Sequence, residues 1–291
     1  MIKKIMVPSG IGDFSWTWAK LAATDDQYHI HFANGLPNRM DAFLALLPKD
    51  KVLSYKMSEE FTTGWDGPTL KPYPREKRQP IKVARNYTDL NDQEFKFFEC
   101  NSFLEAGNRL EYWQKNELPK IDFHYNIKGV VDGAKTGNYF IVNFSSYGTK
   151  KAWGYYEVDD SADIVEYISK KKEMMPVFIG GSYDDYTTDI FKTVVSRGVR
   201  AVSLVGKTPD LIAVIALLQQ ARMYFGACSG LMALANVLYT PVAVYYPPFD
   251  MPPGRLLNGM WHDPEVLHVG MTWRGKMGDI VRLEKECLNN I

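Results

Sequence analysis

The sequence predicts an α/β fold in which parallel strands alternate with helices. Short apolar runs, many of them rich in β-branched residues, are followed by segments whose apolar residues recur with the period of about 3.6 residues typical of a helix. The alternation occurs in both halves of the chain, on either side of a polar stretch punctuated by glycines. Two consecutive α/β halves predict two Rossmann-like domains that face each other across a cleft, with ligands at the carboxyl ends of the strands.

In the first half, short apolar runs predict strands and longer periodic segments predict helices. Phe14, Trp18 and Leu21 share one face of the first helix, which should therefore be buried. Four prolines between residues 68 and 80 exclude a helix interior and a central strand, so regular structure is expected to lapse between residues 62 and 85. The predicted strands cover residues 2–7, 28–32 and 51–55, and the predicted helices cover residues 14–23, 39–47 and 95–115.

A polar stretch with three glycines, near residues 128–137, is where we place the domain boundary. Beyond the second domain, Ile280, Leu283 and Cys287 would share one apolar face of a final helix. The predicted units are residues 1–133, residues 134–277 and a C-terminal helix within residues 278–291.

In the second half the alternation is more regular. Thr208 followed by Pro209 is a typical helix start, with threonine as the N-cap and proline in the first turn. The predicted strands cover residues 139–144, 176–179, 201–205, 223–226 and 241–246, and the predicted helices cover residues 161–172, 186–196, 209–221 and 230–238.

Composition and charge exclude several classes of protein. The chain has 34 basic and 34 acidic residues among 291, which disfavours whole-chain attraction to nucleic acid or to a membrane. Its longest apolar stretch, residues 211–218, is far shorter than the roughly 20 residues of a spanning helix. The apolar run after Lys4 stops at Pro8, unlike a signal peptide, and the three scattered cysteines are too few for a disulfide framework. These features predict a cytoplasmic protein without integral membrane contact.

The proline-rich stretch is locally basic although the whole chain is neutral. Six basic residues stand against the single acid Glu76 within residues 71–85. One interpretation is a solvated loop, and the other is a loop that overhangs the cleft and receives an anionic acceptor, such as a phosphorylated sugar or a nucleic-acid backbone. Under the second interpretation the acceptor-binding residues are Lys71, Arg75, Lys77 and Arg78.

A glycine turn joins the first strand to the first helix. Gly10 and Gly12 would let a ligand approach the backbone closely, but the dinucleotide fingerprint G-x-G-x-x-G fails because Ser15 occupies the third glycine position. A dehydrogenase is therefore a weak hypothesis. Asp13 is either a helix N-cap or a carboxylate at the mouth of the cleft that takes a proton from an acceptor hydroxyl.

Three small-residue turns end successive strands of the second domain. Gly180 and Gly181 form the first, Lys207 lies in the second, and Ser229 and Gly230 lead from a strand into a helix in the third. Any one of them is consistent with an ordinary connection, but a hydroxyl and a glycine at a helix N-terminus also suit an anion. Together the three turns favour a site for a nucleotide diphosphate. The sequence has no His, Cys and Asp cluster with metal-ligand spacing.

The ordered set of these segments resembles the heptosyltransferase family, the ADP-heptose:lipopolysaccharide heptosyltransferases and their relatives. The likeness is best over residues 139–247, and in the first half it is carried by the first strand, turn and helix. The resemblance implies a GT-B fold and glycosyltransferase activity. The segments that carry it are Gly10-Ile11-Gly12-Asp13, Lys151-Ala152-Trp153, Phe178-Ile179-Gly180-Gly181, Leu204-Val205-Gly206-Lys207-Thr208 and Cys228-Ser229-Gly230-Leu231.

The resemblance also implies roles for individual residues. Asp13 corresponds to the general base on the acceptor hydroxyl, and Lys151 to a lysine that contacts the donor phosphate. The final helix, within residues 278–291, would cross back to the first domain. The residues implied near the base and ribose of the donor are Gly206, Lys207 and Thr208, and those implied at its diphosphate are Ser229, Gly230 and Leu231.

The leading hypothesis is an inverting, metal-independent glycosyltransferase that moves a sugar from a nucleotide-diphosphate sugar to an acceptor hydroxyl, without a cofactor. Lys151 and the helix N-terminus at Ser229 would neutralise the departing diphosphate. The acceptor would be a carbohydrate, a lipopolysaccharide-like molecule or another anionic molecule.

Two alternatives stay open. A DNA-modifying glycosyltransferase acting on modified bases is favoured by the basic stretch. A non-catalytic sugar-nucleotide-binding protein of the same fold is favoured by two departures from the family pattern, since Cys228 stands where the family has Asp and Ala233 where it has His.

Overall fold

The computed structural model divides the chain into two compact units, Met1–Lys120 and Ile121–Ile291. The predicted boundary between residues 133 and 134 lies outside the described residues, and it stays a prediction. The structure describes residues 1–7, 11–12, 14–15, 21, 25–32, 50–57, 61–63, 82–84, 96–97, 138–144, 157–182, 184–208, 210–227, 229–246, 268–272 and 276–291.

The first unit contains a sheet of four parallel strands. Three of them confirm the predicted strands: β1 (Ile2–Val7), β2 (Gln27–Phe32) and β3 (Val52–Met57). With the fourth, β6 (Lys96–Phe97), their order is β3-β2-β1-β6. Because β1 has β2 on one side and β6 on the other, the carboxyl end of β1 lies at the switch point of this sheet. Open α/β sheets bind ligands at such points.

The strand β6 (Lys96–Phe97) corrects the prediction of a helix beginning at residue 95. A strand of two residues is too short to show the alternation typical of strands, and pairing with β1 overrides the local helical periodicity. Regular structure also occurs at both ends of the stretch that was expected to lack it. Here β4 (Phe61–Thr63) and β5 (Lys82–Ala84) form a parallel pair, and the prolines at residues 68–80 interrupt neither strand.

The first predicted helix is confirmed at the residues that the structure describes. Residues 14–15 and 21, which lie within the predicted range, are helical, and the Ser15 hydroxyl donates to the backbone oxygen of Ile11 at 2.7 Å. Residues 11–12 are helical too, which corrects the prediction that Gly12 belongs to a turn before the helix. Phe14 and Leu21, from the predicted buried face, are each only 1% exposed. The Phe14 ring packs on Phe32 of β2 with 6.2 Å between ring centroids, so this helix covers one face of the sheet.

The second unit contains a six-stranded parallel sheet in the order β12-β11-β10-β7-β8-β9. The chain starts at β7 in the middle, adds β8 and β9 on one side, and then crosses to β10 on the other side of β7. This is the 3-2-1-4-5-6 order of a doubly wound Rossmann sheet. The strands are β7 (Tyr139–Asn143), β8 (Met175–Phe178), β9 (Val202–Ser203), β10 (Tyr224–Ala227), β11 (Val242–Tyr246) and β12 (His268–Thr272).

The core of the second unit explains why its elements were predictable. All five residues of β7 are buried, as expected for a central parallel strand covered on both faces. Helix α3 (Leu211–Gln220) is almost wholly apolar and buries seven residues. Each fully buried Val, Leu or Ile among them stabilises the fold by about 1.5–3 kcal/mol relative to its exposed state. The helices are α1 (Val158–Lys172), α2 (Asp185–Ser196), α3 (Leu211–Gln220), α4 (Gly230–Val237) and α5 (Lys276–Glu286).

The start of α3 corrects the prediction that Thr208 caps this helix. Asp210 is the N-cap, and its carboxylate accepts a hydrogen bond from the Ala213 amide at 2.8 Å. Threonine and aspartate are both good N-caps, and the charged carboxylate next to Leu211 is the stronger acceptor.

The C-terminal helix is amphipathic as predicted. Leu283 is fully buried, and Cys287, which follows the helix, is fully buried on the same face. Burial raises the pKa of the Cys287 thiol to about 12, so this thiol is protonated and unreactive at neutral pH. Glu284 accepts a hydrogen bond from the Tyr167 hydroxyl of α1 at 2.8 Å and pairs with Lys171 of α1 at 2.6 Å. The crossing of this helix to the first domain stays a prediction.

Candidate functional site

The turns predicted to bind a donor lie at one edge of the second sheet. In a parallel sheet all carboxyl ends meet at the same edge, and the switch point falls between β7 and β10, where successive connections leave in opposite directions. Eight of the nine residues predicted to bind the donor are described, and all follow β8, β9 or β10 at this edge. They are Gly180, Gly181, Gly206, Lys207, Thr208, Ser229, Gly230 and Leu231.

The turn after β8 is held by backbone and carboxylate contacts. The Asp184 carboxylate accepts from the Gly181 amide at 2.9 Å, and the Asp184 amide donates to the Gly181 oxygen at 3.0 Å. Gly180 has a φ of +157°, and a β-carbon there would overlap the Asp184 carboxylate, so only glycine fits. Asp184 is 5% exposed, which makes it a structural support of this turn rather than a ligand-facing acid.

The turn after β9 is hydrogen-bonded to the turn after β8. The Gly206 amide donates to the Gly180 oxygen at 2.9 Å, which links the two turns directly. Gly206 has a φ of +68°, a conformation that glycine adopts without strain. The side chain of Lys207 is exposed, so its ammonium group is available to an anion at this edge.

Asn143 is a residue of this edge that the sequence analysis missed. It is fully buried at the end of β7, and its amide nitrogen donates to the Ile179 oxygen, just before the Gly180 turn, at 2.9 Å. Its Oδ1 has no hydrogen-bond partner among the residues that the structure describes. Gly226 of β10 lies so close that a β-carbon there would overlap the Asn143 backbone oxygen. The one available signal was a polar residue that ends an otherwise apolar strand.

The turn after β10 ends in the N-terminus of α4. Ser229 is the N-cap, with extended backbone, and its hydroxyl oxygen accepts from the Met232 amide at 3.4 Å. By helix geometry, the amides of Gly230 and Leu231 have no partner within the helix, and no acidic residue lies in the first turn. Such an N-terminus carries partial positive charge and offers its amide protons to an anion.

Tyr224, the second residue that the sequence analysis missed, lies beneath this N-terminus. It is fully buried, and its hydroxyl lies 3.2 Å from the Asn143 oxygen, 3.1 Å from the Ala227 oxygen and 3.2 Å from the Ser229 hydroxyl oxygen. One phenol therefore joins the ends of β7 and β10 to the cap of α4, across the switch point of the sheet.

Several predicted residues cannot be placed at the site. Gly12 is described, half-buried and helical just after β1, at the switch point of the first sheet. Ala233, which stands where the resembled family has His, is 1% exposed in α4 and offers no polar group. The residues that lie outside the described ones are Gly10, Asp13, Lys71, Arg75, Lys77, Arg78, Lys151 and Cys228.

The described residues form neither a metal-binding cluster nor a membrane-spanning helix. Within them, no group of three or more His, Cys, Asp or Glu side chains is placed to hold a metal ion. Among the helices made of those residues, none is both long enough and apolar enough to cross a membrane.

Comparison with known proteins places the chain by its structure. Neither a protein-family model nor a curated protein matches the sequence. A glycosyl transferase family 9 protein from Veillonella parvula has a TM-score of 0.55 and 10% identity, over 98% of this chain and 91% of its own. The E. coli ADP-heptose lps heptosyltransferase II has a TM-score of 0.55 and 12% identity, over 100% of this chain and 99% of its own. The E. coli heptosyltransferase WaaC with ADP has a TM-score of 0.53 and 10% identity, over 95% of this chain and 92% of its own.

At identities of 10–12% these likenesses establish the fold. The predicted fold class, α/β with parallel sheets of the GT-B glycosyltransferase kind, is confirmed. The resemblance to heptosyltransferases noted in the sequence is confirmed as a likeness of fold. The arrangement of two domains around a cleft stays a prediction.

Proposed function

We propose that the chain is a glycosyltransferase that transfers a sugar from a nucleotide-diphosphate sugar to an acceptor hydroxyl. The observation that carries the proposal is the N-terminus of α4, which opens with the Ser229 cap at the switch point of a Rossmann-ordered sheet. The fold shared with glycosyltransferases supports the reaction class, although fold alone does not define activity.

The proposed mechanism assigns the donor to the edge of the second sheet. The leaving nucleoside diphosphate gains negative charge as its bond to the sugar breaks, and groups aimed at that charge lower the barrier. The amides of Gly230 and Leu231 and the Ser229 hydroxyl would receive one phosphate. Lys207 lies exposed near the neighbouring turn, where it would approach the ribose or the phosphate.

The remaining roles rest on the sequence and are part of the proposal. Asp13 would accept the proton of the acceptor hydroxyl, which attacks the sugar from the face opposite the diphosphate and so inverts its configuration. Lys151 would pair with the donor phosphate. A basic side chain and a helix N-terminus would do the work that a metal ion does in other transferases, and the reaction would therefore be metal-independent.

A panel of nucleotides tests this proposal. ADP-, GDP- and UDP-sugars, the free diphosphates and the matching monophosphates are added to the purified chain, and its melting temperature is measured. A ligand at a hundred times its Kd stabilises the folded state by about 2.7 kcal/mol. We expect one diphosphate and its sugars to raise the melting temperature clearly more than the matching monophosphate does.

Product analysis with the same donor separates the alternatives. The donor is incubated without added metal, either with water alone or with one of three acceptors: a phosphorylated sugar, core oligosaccharide or hydroxymethylated DNA. We expect the free diphosphate to be released. Binding without release would favour the non-catalytic sugar-nucleotide-binding protein, and transfer to DNA alone would favour the DNA-modifying enzyme. If no diphosphate stabilised the chain, the proposal would be wrong.

A further inference from the structure

The hydroxyl of Tyr224 lies among three oxygen atoms although it carries a single proton. The Asn143 and Ala227 oxygens are carbonyls and can only accept, whereas Ser229 can both donate and accept. Two arrangements satisfy this geometry. Either Tyr224 donates to a carbonyl and Ser229 donates to Tyr224, or Tyr224 donates to Ser229.

The two arrangements leave the Ser229 proton in different places. In the first arrangement the proton is engaged by Tyr224 and is unavailable to a ligand. In the second arrangement it is free to point out of the helix N-terminus. In both, the Ser229 oxygen keeps its contact with the Met232 amide, so the change requires only the rotation of two O–H bonds.

We propose that Tyr224 is a positioning residue for the donor diphosphate and acts through Ser229. When a phosphate oxygen reaches the N-terminus of α4, the Ser229 O–H turns to donate to it and the Tyr224 O–H turns to donate to Ser229. A hydroxyl that accepts a hydrogen bond becomes a better donor, because chains of hydrogen bonds polarise one another. This inference rests on the proposed function, since it needs an anion at Ser229.

Tyr139 is a matched control within the same sheet. It is also a buried tyrosine, on the neighbouring strand β7, but its hydroxyl donates to the single carbonyl of Leu217 at 2.7 Å. Replacing either tyrosine by phenylalanine deletes one buried hydroxyl. Only Tyr224→Phe removes a partner of Ser229.

A double-mutant cycle tests the inference. The affinities of ADP, GDP, UDP and inorganic pyrophosphate are measured by calorimetry for the wild type, Tyr224→Phe, Ser229→Ala and the double variant. We expect Ser229→Ala to weaken diphosphate binding by about tenfold or more, because it removes a hydrogen bond to a charged ligand. Tyr224→Phe should weaken binding less, by about fivefold, because it removes a hydrogen bond between two neutral groups. The double variant should bind as weakly as Ser229→Ala, because Tyr224 has nothing left to act on.

The control cycle uses Tyr139→Phe with Ser229→Ala. We expect Tyr139→Phe to change the affinity for each diphosphate by less than about twofold. The urea midpoint of the Tyr139→Phe variant should nevertheless fall, as that of the Tyr224→Phe variant does, because each variant loses a buried hydrogen bond. If Tyr224 had a purely structural role, the effects of Tyr224→Phe and Ser229→Ala on affinity would be additive, or Tyr224→Phe would have the same small effect as Tyr139→Phe. Either outcome would overturn the inference about Tyr224 and leave the proposed function standing. If the wild type bound none of these four probes, the proposed function would fail and the inference with it.

A second measurement needs no variant of Tyr224. In wild-type chain labelled with tyrosine at the ¹³Cζ position, the resonance reports the hydrogen bonding of the hydroxyl. We expect the bound nucleoside diphosphate (ADP, GDP or UDP) to move one buried-tyrosine resonance in the wild type and to leave it in place in Ser229→Ala. A saturating ligand that moves no buried-tyrosine resonance would contradict the inference.

Discussion

Gly226→Ala should destabilise the second unit by about 3 kcal/mol or more, at the upper end of overpacking costs. Gly226 pairs with Asn143 in the register of β10 and β7, the two central strands. A β-carbon at this position would overlap the Asn143 backbone oxygen and lie 2.7 Å from its carbonyl carbon. Neither atom can rotate away, so the two strands must separate at the switch point. The measurement is the midpoint of urea unfolding, with tryptophan fluorescence and circular dichroism as the two probes of unfolding.

Gly198→Ala is the matched control for this substitution. Gly198 has a φ of +81°, but a β-carbon there would meet nothing within 4 Å. Its cost is therefore backbone strain alone, on the order of 1 kcal/mol. Equal losses of stability in the two variants would contradict the close approach of β10 to β7.

Asp13→Asn should lower kcat for sugar transfer by about a hundredfold or more while leaving donor affinity within about twofold, because general-base catalysis contributes typically 10²–10⁴-fold. Asparagine has nearly the same shape as aspartate but cannot take a proton from the acceptor hydroxyl. The result rests on the proposed function and on the role that the family resemblance implies. Kinetics with a saturating donor, and calorimetry with the diphosphate, separate the two effects.

Asp26→Asn is the control for Asp13→Asn. Asp26 also lies in the first unit, where it pairs with Lys3 and with the N-terminal amine, the latter at 3.2 Å. An exposed ion pair of this kind contributes little to stability, and replacing Asp26 should leave kcat unchanged. An Asp13→Asn variant with wild-type turnover would remove Asp13 from the mechanism.

Much of the second sheet could be predicted from the sequence because its strands and helices are apolar and regularly spaced. Strand β7 reads as a continuous apolar run, and α3 as an apolar segment of helical length. The two-residue β6 and the pair β4 and β5 could not be predicted, since such short strands are defined by pairing with distant segments rather than by their own pattern.

The candidate site was predictable only where its residues follow strands directly. Ser229 and the Gly180 turn could be inferred because small residues after a strand mark a connection. The roles of Asn143 and Tyr224 could not be inferred, because they depend on the pairing of β7 with β10. The two residues in contact are 81 positions apart in the sequence. A buried tyrosine in a strand otherwise reads as core.

The crystal structure of the chain with bound ADP, GDP or UDP, whichever stabilises it, is the most direct test of where the donor binds. We expect the diphosphate oxygens within about 3.2 Å of the amides of Gly230 or Leu231 and of the Ser229 hydroxyl. The nucleoside would then lie toward the turns that contain Gly180 and Gly206. A diphosphate bound away from the carboxyl edge of the second sheet would contradict the proposed donor site.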